Sequence, residues 1–195
     1  PFDGRLLANQ GELHNVSSLR QKGRVLIAYF SYTGNTKHVA QTLSERLQRS
    51  CIVDTVEIVP THKRTYMHWL VYSFIPDSEV EIQNQPMELP SYDAVVLAFP
   101  KWTLSCPPLN RFIHNMSGVD VPSFFLLMTC GGFDEKRFMR SSGRKLARMG
   151  CNVVESLTIK QKRISEETCT EALESFAKRI EVNLPICRRD VEGHT

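Results

Sequence analysis

No two of the six cysteines are spaced C-x-x-C, so the chain lacks the ligand spacing of zinc ribbons and of cysteine-ligated iron–sulfur clusters. A disulfide framework is unexpected at this length and with this hydrophobic patterning. Cys51, Cys106, Cys130, Cys151, Cys169 and Cys187 therefore read as free thiols in a reducing cytosol. No apolar run approaches the ~18–20 residues of a membrane span. There is no low-complexity tract and no repeat of about 20–50 residues, which excludes solenoids and propellers. Charge of one sign is also scarce: 24 Lys and Arg against 21 Asp and Glu give a net +3. The cations are scattered, so the chain has no nucleic-acid footprint. Arg137, Arg140, Arg144, Lys145 and Arg148 are the exception. They fall at helical spacing and read as a solvated helix face, or as a docking patch for an acidic partner. The N-x-S sequons at Asn15 and Asn115 have no secretory segment ahead of them and read as chance.

What is present is a soluble-globular composition, 42% hydrophobic and 23% charged over 195 residues, enough for one domain with a sizeable core. The first 22 residues have no clear period and read as an N-terminal extension. They open on Pro1 without an initiator Met, which reads as a processed, trimmed or fused end. A domain is expected over 23–184, with a C-terminal tail at 185–195.

Apolar runs predict strands at 24–30, 52–59, 92–99, 123–129 and 151–159. Helical spacing predicts helices near 36–49, 108–116, 134–149 and 165–181. The long connection 60–91 is expected to hold one helix around the aromatic run 66–75, which would cover a ligand, form a dimer contact or pack on the sheet. Strand and helix alternate five times, which implies an α/β fold: three layers, doubly wound about a parallel sheet.

In such a sheet, ligands bind beyond the carboxyl ends of the strands. Three loops leave the predicted strands there. The first, Ser31-Tyr32-Thr33-Gly34-Asn35-Thr36, follows an unbroken apolar run and opens a helix. Its hydroxyls can donate to phosphate oxygens, its glycine permits close approach, and the helix start adds free N–H groups. The second is Pro100-Lys101-Trp102-Thr103-Leu104, and the third is Thr129-Cys130-Gly131-Gly132-Phe133. Together they offer an anion socket, a planar aromatic and a glycine wall, which suits a flat phosphorylated ligand. There is no G-x-x-x-x-G-K-[ST] and no G-x-G-x-x-G after the first strand, so neither a P-loop nor the dinucleotide fingerprint is present.

Over about residues 24–181 the chain resembles the flavodoxin-like superfamily. The resemblance is carried by Ser31–Thr36 after strand one, by Tyr92-Asp93 through Phe99-Pro100-Lys101-Trp102, and by Met128-Thr129-Cys130-Gly131-Gly132. It implies a five-stranded sheet in the order 2-1-3-4-5, of the short-chain form, and non-covalent FMN. It also implies that Ser31, Thr33 and Thr36 hold the phosphate, that Trp102 stacks on or stands beside the isoalloxazine, and that Lys101 lies near flavin N1. Residues 100–106 depart from the pattern, because flavodoxins proper often place a glycine there whose peptide flips toward the reduced N5. The overall charge departs as well, since many flavodoxins are strongly acidic.

The leading expectation is a cytoplasmic electron carrier between protein partners, of ferredoxin or reductase type. The alternatives are an FMN-dependent NAD(P)H or quinone reductase, and a regulatory domain that kept the fold without redox work. A homodimer is also open.

Overall fold

The computed structural model describes residues 23–84, 89–116, 123–132 and 134–184. The expected N-terminal extension, the C-terminal tail and Phe133 lie outside the described residues. Five strands are present: β1 (Arg24–Tyr29), β2 (Ile52–Glu57), β3 (Ala94–Pro100), β4 (Phe124–Cys130) and β5 (Val153–Lys160). The helices are α1 (Asn35–Leu47), α2 (Tyr66–Ser73), α3 (Pro107–Asn115), α4 (Glu135–Arg148) and α5 (Glu167–Val182). The strands form one parallel sheet in the order β2-β1-β3-β4-β5. This is the doubly wound α/β arrangement expected from the sequence.

The three layers follow from the period-2 alternation of strand side chains. Val25, Ile27, Ala94, Val96, Ala98, Phe125 and Leu127 face α1 and α5, where they meet Val39, Leu43, Leu47, Leu173, Phe176 and Ile180. Leu26, Ala28, Val95, Leu97, Phe99, Phe124, Leu126 and Met128 face the other way, onto Leu109, Phe112, Ile113, Phe138 and Leu146. Every residue of β3 and β4 is buried. Strands covered on both faces read as continuous apolar runs, which is why the sequence exposed them so clearly.

Two boundaries differ from the sequence expectation for identifiable reasons. β3 begins at Ala94 rather than at residue 92, because Leu89–Ser91 form a 3₁₀ turn closed by Tyr92 N donating to Leu89 O at 3.0 Å. The Asp93 carboxylate instead accepts from Arg24 N at 2.8 Å, and the Tyr92 hydroxyl donates to Asp54 at 2.9 Å. These two residues therefore close the amino-terminal edge of the sheet, away from the ligand rim. β2 ends at Glu57. Past it, Ile58 is buried and its N–H donates to Tyr29 O at 2.7 Å.

Tyr29, at the end of β1, donates its hydroxyl to Glu57 at 3.1 Å. Burial, then the bond to Glu57 and the carboxylate's charge, push its pKa up to about 12. The unfolded chain loses this proton near pH 10 while the folded chain keeps it. The stabilisation is therefore complete below pH ~10 and is lost as the pH rises toward 12. Urea unfolding across this range is expected to show a decline in stability that Tyr29→Phe lacks.

Candidate functional site

The carboxyl ends of β1, β3 and β4 meet on one rim, and hydrogen bonds lock them together. Phe30 N donates to Ala98 O at 2.9 Å, and Lys101 N donates to Thr129 O at 2.7 Å. Below the rim the Thr36 and Thr129 hydroxyls share a buried hydrogen bond of 2.7 Å, joining the first turn of α1 to the end of β4. Thr36 is therefore not the N-cap. That position belongs to Gly34, in the left-handed region at φ 90°. A Cβ there would meet nothing within 4 Å, so the space in front of Gly34 is open. No side chain caps α1 and its first turn carries no acidic residue. The N–H groups and the positive end of the helix dipole thus face an unopposed socket.

Beside this socket lies a cleft of about 350 Å³. Tyr32 and Thr33 form one side, and Pro100, Lys101 and Trp102 form a second. Gly131 and Gly132 form the third, with Tyr66, Leu70 and Gln161 completing the lining. Gly132 sits at φ 110° with only Lys160 Cδ within 4.0 Å of a notional Cβ, and Gly131 has nothing within 4 Å. A ligand can therefore approach this backbone closely. Among the described residues, no carboxylate and no histidine lines the cleft.

Trp102 serves two purposes. One face packs into an aromatic cluster, at 5.8 Å centroid distance from Phe30 and 5.6 Å from Trp69, while Tyr32 stands edge-on at 6.1 Å. The indole is thereby held in place and still borders the cleft. Trp69 comes from α2, whose N-cap Thr65 accepts from His68 N. The run 66–75 thus supplies a crossover helix anchored by one buried tryptophan. Tyr66, Met67, Val71, Phe74 and Ile75 remain exposed.

The loop after β3 is rigid. Leu104 N and Ser105 N both donate to Ser73 O, at 2.9 and 3.0 Å, and the Thr103 and Ser73 hydroxyls share a bond of 2.6 Å. Thr103 and Leu104 are drawn toward α2 by these bonds and do not line the cleft. The Lys101 ammonium turns to Trp102 O at 3.3 Å and lies 5.9 Å from the centre of the Phe138 ring. Lys37, just past the socket, reaches Glu57 at 3.4 Å.

Of the sixteen residues singled out in the sequence, Tyr32, Thr33, Pro100, Lys101, Trp102, Gly131 and Gly132 border this cleft. Gly34 and Asn35 form the helix start beside it. Thr36, Thr129 and Cys130 are buried beneath it. Ser31 lines an adjoining cleft across Tyr32, and its Oγ is buried without a hydrogen-bond partner. Asp134 occupies the N-cap position of α4 in the left-handed region at φ 49°, and its side chain makes no capping bond. Tyr66 and Leu70 come from the run 66–75, for which covering a ligand was one of the expectations, whereas Gln161 was not anticipated. Gln161 was readable in principle, because it directly follows a strand that ends on the same rim.

The cysteines play no part in the cleft. Burial pushes the Cys106 thiol up to about 12, and burial likewise raises Cys130, Cys151 and Cys169. The thiolate is the reactive form, so burial slows the reaction of these groups in the folded state, least at the half-buried Cys151. Cys106 and Cys130 are expected to resist a disulfide-exchange reagent at pH 8 until the protein unfolds, with the half-buried Cys151 reacting before them. Rapid native-state labelling of Cys130 would contradict its placement. Among the described residues no group of His, Cys, Asp and Glu could hold a metal ion, and no helix is long and apolar enough to cross a membrane.

No protein-family model matches the chain. An uncharacterised protein of Archaeoglobus fulgidus is 30% identical over 139 residues, covering 71% of this chain and 86% of its own length. Several solved structures are similar in fold. A Bacteroides uniformis protein provisionally described as a flavoprotein superposes with a TM-score of 0.65 at 21% identity, covering 81% of this chain and 99% of that one. A flavoprotein of Lactobacillus acidophilus, solved in complex with FMN, gives 0.59 at 17%, with 75% and 99% covered. An NAD(P)H:quinone oxidoreductase of Methanothermobacter marburgensis gives 0.51 at 13%, with 83% and 96% covered. With a parallel sheet in the order 2-1-3-4-5 and a loop-built cleft beyond β1, β3 and β4, the chain has the flavodoxin-like fold, and it belongs to one family with the A. fulgidus protein.

Proposed function

We propose that the chain is an FMN-binding redox protein that passes electrons between protein partners. One observation carries this reading. An uncapped helix N-terminus opens beside a cleft of about 350 Å³ with an aromatic wall and a glycine wall. That set matches a ligand with a phosphate at one end and a flat ring system at the other. The residues fit FMN. The N–H groups of Asn35 and Thr36 and the Thr33 hydroxyl suit the phosphate. Ser31 Oγ, buried with no partner, is a donor that the protein itself leaves unused. Trp102 and Tyr32 would flank the ring, and Gly131 and Gly132 would leave room for its far side. When bound, FMN supplies one- and two-electron transfer. The residues of the chain hold the ring, exclude water from one face and place the Lys101 ammonium in the wall.

The lack of any carboxylate or histidine in the cleft favours an electron carrier over an enzyme that moves protons on a substrate. The exposed apolar side chains of α2, beside Tyr66 and Leu70 of the cleft, suit a protein partner that docks next to the flavin. The free cysteines suit a reducing compartment. The test is stopped-flow mixing of the FMN-loaded protein with a reduced low-potential ferredoxin. Flavin bleaching within seconds is expected, and no exchange with any such carrier would overturn the reading. The second reading, an NAD(P)H-dependent reductase, draws on the adjoining cleft and its cationic rim. Bleaching by NADPH alone within seconds would favour it. A protein that stays colourless with excess FMN would fit neither.

A further inference from the structure

A second cleft, of about 530 Å³, opens on the β2 side of Tyr32. It is separate from the one assigned to FMN, and Tyr32 is the residue that lines both. Its floor is aromatic and aliphatic, made by the buried Phe30, Ile58 and Trp69. Its outer wall is a pair of segments knitted together in advance. Thr61 N donates to Glu81 O at 2.9 Å, Gln83 N to Val59 O at 2.7 Å, and Val59 N to Asn84 Oδ1 at 2.9 Å. Asn84 Nδ2 returns a bond to Glu57 O at 2.8 Å, and Pro60 and Ile82 form an antiparallel bridge. A wall held by four such hydrogen bonds is a standing feature of the fold.

Cations outnumber carboxylates in this cleft. Glu57, the only carboxylate among the described lining residues, is paired with Lys37 at 3.4 Å and accepts from Tyr29. Arg64 is steered by the His68 ring and lies 5.3 Å from the centre of the Tyr72 ring. Neither Arg64 nor Lys63 has an acidic side chain within salt-bridge distance among the described residues. A preformed, mostly apolar cavity of this size with a few convergent cations has the general character of a small-molecule site. We propose that this cleft binds a planar aromatic anion, its ring on Phe30 and Trp69 and its carboxylate or phosphate on Lys63 and Arg64. The proposal stands apart from the FMN reading, because Phe30, Trp69, Lys63 and Arg64, which would hold the anion, have no part in holding FMN; Ser31 and Tyr32 are the residues at the boundary of the two clefts.

The experiment is calorimetric titration of 2-naphthoate, and of the neutral 2-naphthalenemethanol, into the protein with and without FMN. Saturable 1:1 binding of naphthoate in both forms is expected, with the neutral analogue at least about tenfold weaker. Lys63 is exposed, so Lys63→Gln is expected to fold normally and to weaken naphthoate about tenfold, the scale of one charge-assisted hydrogen bond. Lys136→Gln, on α4 and outside the lining of this cleft, is expected to change nothing. Equal binding of the neutral analogue, no binding in either form, or an undiminished Lys63→Gln variant would overturn the proposal. Displacement of naphthoate by FMN would also overturn it, by making the two clefts one site. Naphthoate binding to a protein that refuses FMN would sink the flavin assignment and leave this one standing.

Discussion

Replacing Gly34 with valine is expected to weaken FMN binding at least ~100-fold while the protein still folds. The backbone at Gly34 has φ 90°, a conformation that a β-branched residue adopts only under strain. That strain amounts to about 1–3 kcal/mol. The fold survives it, because a Cβ at this position meets no protein atom within 4 Å. On the FMN reading, that space takes the phosphate. Valine either fills it or pulls the first turn of α1 out of line with the socket, and both outcomes remove the phosphate's donors. Gly131→Val is a useful contrast. Its neighbourhood is equally open, its φ lies outside the left-handed region, and it sits on the glycine wall. Its effect should fall on affinity with almost no change in stability. Flavin fluorescence quenching gives the affinities and urea unfolding gives the stabilities. Wild-type affinity in Gly34→Val would mean that the phosphate lies elsewhere.

Phe125→Ala is expected to cost about 3–5 kcal/mol of stability, the usual range for removing a fully buried phenylalanine. Phe125 is completely buried near the start of β4, on the face toward α5, and its ring meets Phe176 edge-on at 6.0 Å. The cavity cannot collapse easily, since β3 and β5 hold β4 on both sides. A loss of this size takes much of the ~5–15 kcal/mol typical of a whole domain. The variant should therefore be soluble only at low temperature or with FMN in excess. Phe74→Ala, by contrast, removes an exposed side chain on α2 and should shift stability by less than ~0.5 kcal/mol. If the two variants unfolded at the same urea concentration, the assignment of Phe125 to the core would be wrong.

How much could be read in advance depended on the physics of each element. β3 and β4 were plain because strands covered on both faces carry uninterrupted apolar runs, and α1 and α5 were plain because their apolar residues recur at helical spacing. The order of strands came from the resemblance, not from periodicity, which carries no information about neighbours. Strand ends were less legible. Tyr92 and Asp93 look like strand residues, but their polar atoms are claimed by Asp54 and by Arg24 N, contacts that only the folded sheet creates.

The candidate site divided in the same way. Gly131, Gly132 and Trp102 were readable because each is an unusual residue at a strand end. The turn of Thr103 toward Ser73 depends on α2, whose placement no local pattern specifies. The same holds for Thr36, whose hydroxyl finds Thr129, ninety-three residues away. Tyr66 and Leu70 entered the cleft through the same helix. The second cleft was invisible in sequence because its wall joins residues 57–61 to residues 81–84 across a long connection.

The central claim is that the amino-terminal end of α1 receives a phosphate at the mouth of the flavin cleft. The most direct measurement compares FMN with riboflavin, which has the same ring and ribityl chain but no phosphate, by fluorescence titration of the same protein. Tight 1:1 quenching of FMN with riboflavin at least ~100-fold weaker is the predicted result. Equal affinity for the two, or no binding of either, would contradict the account.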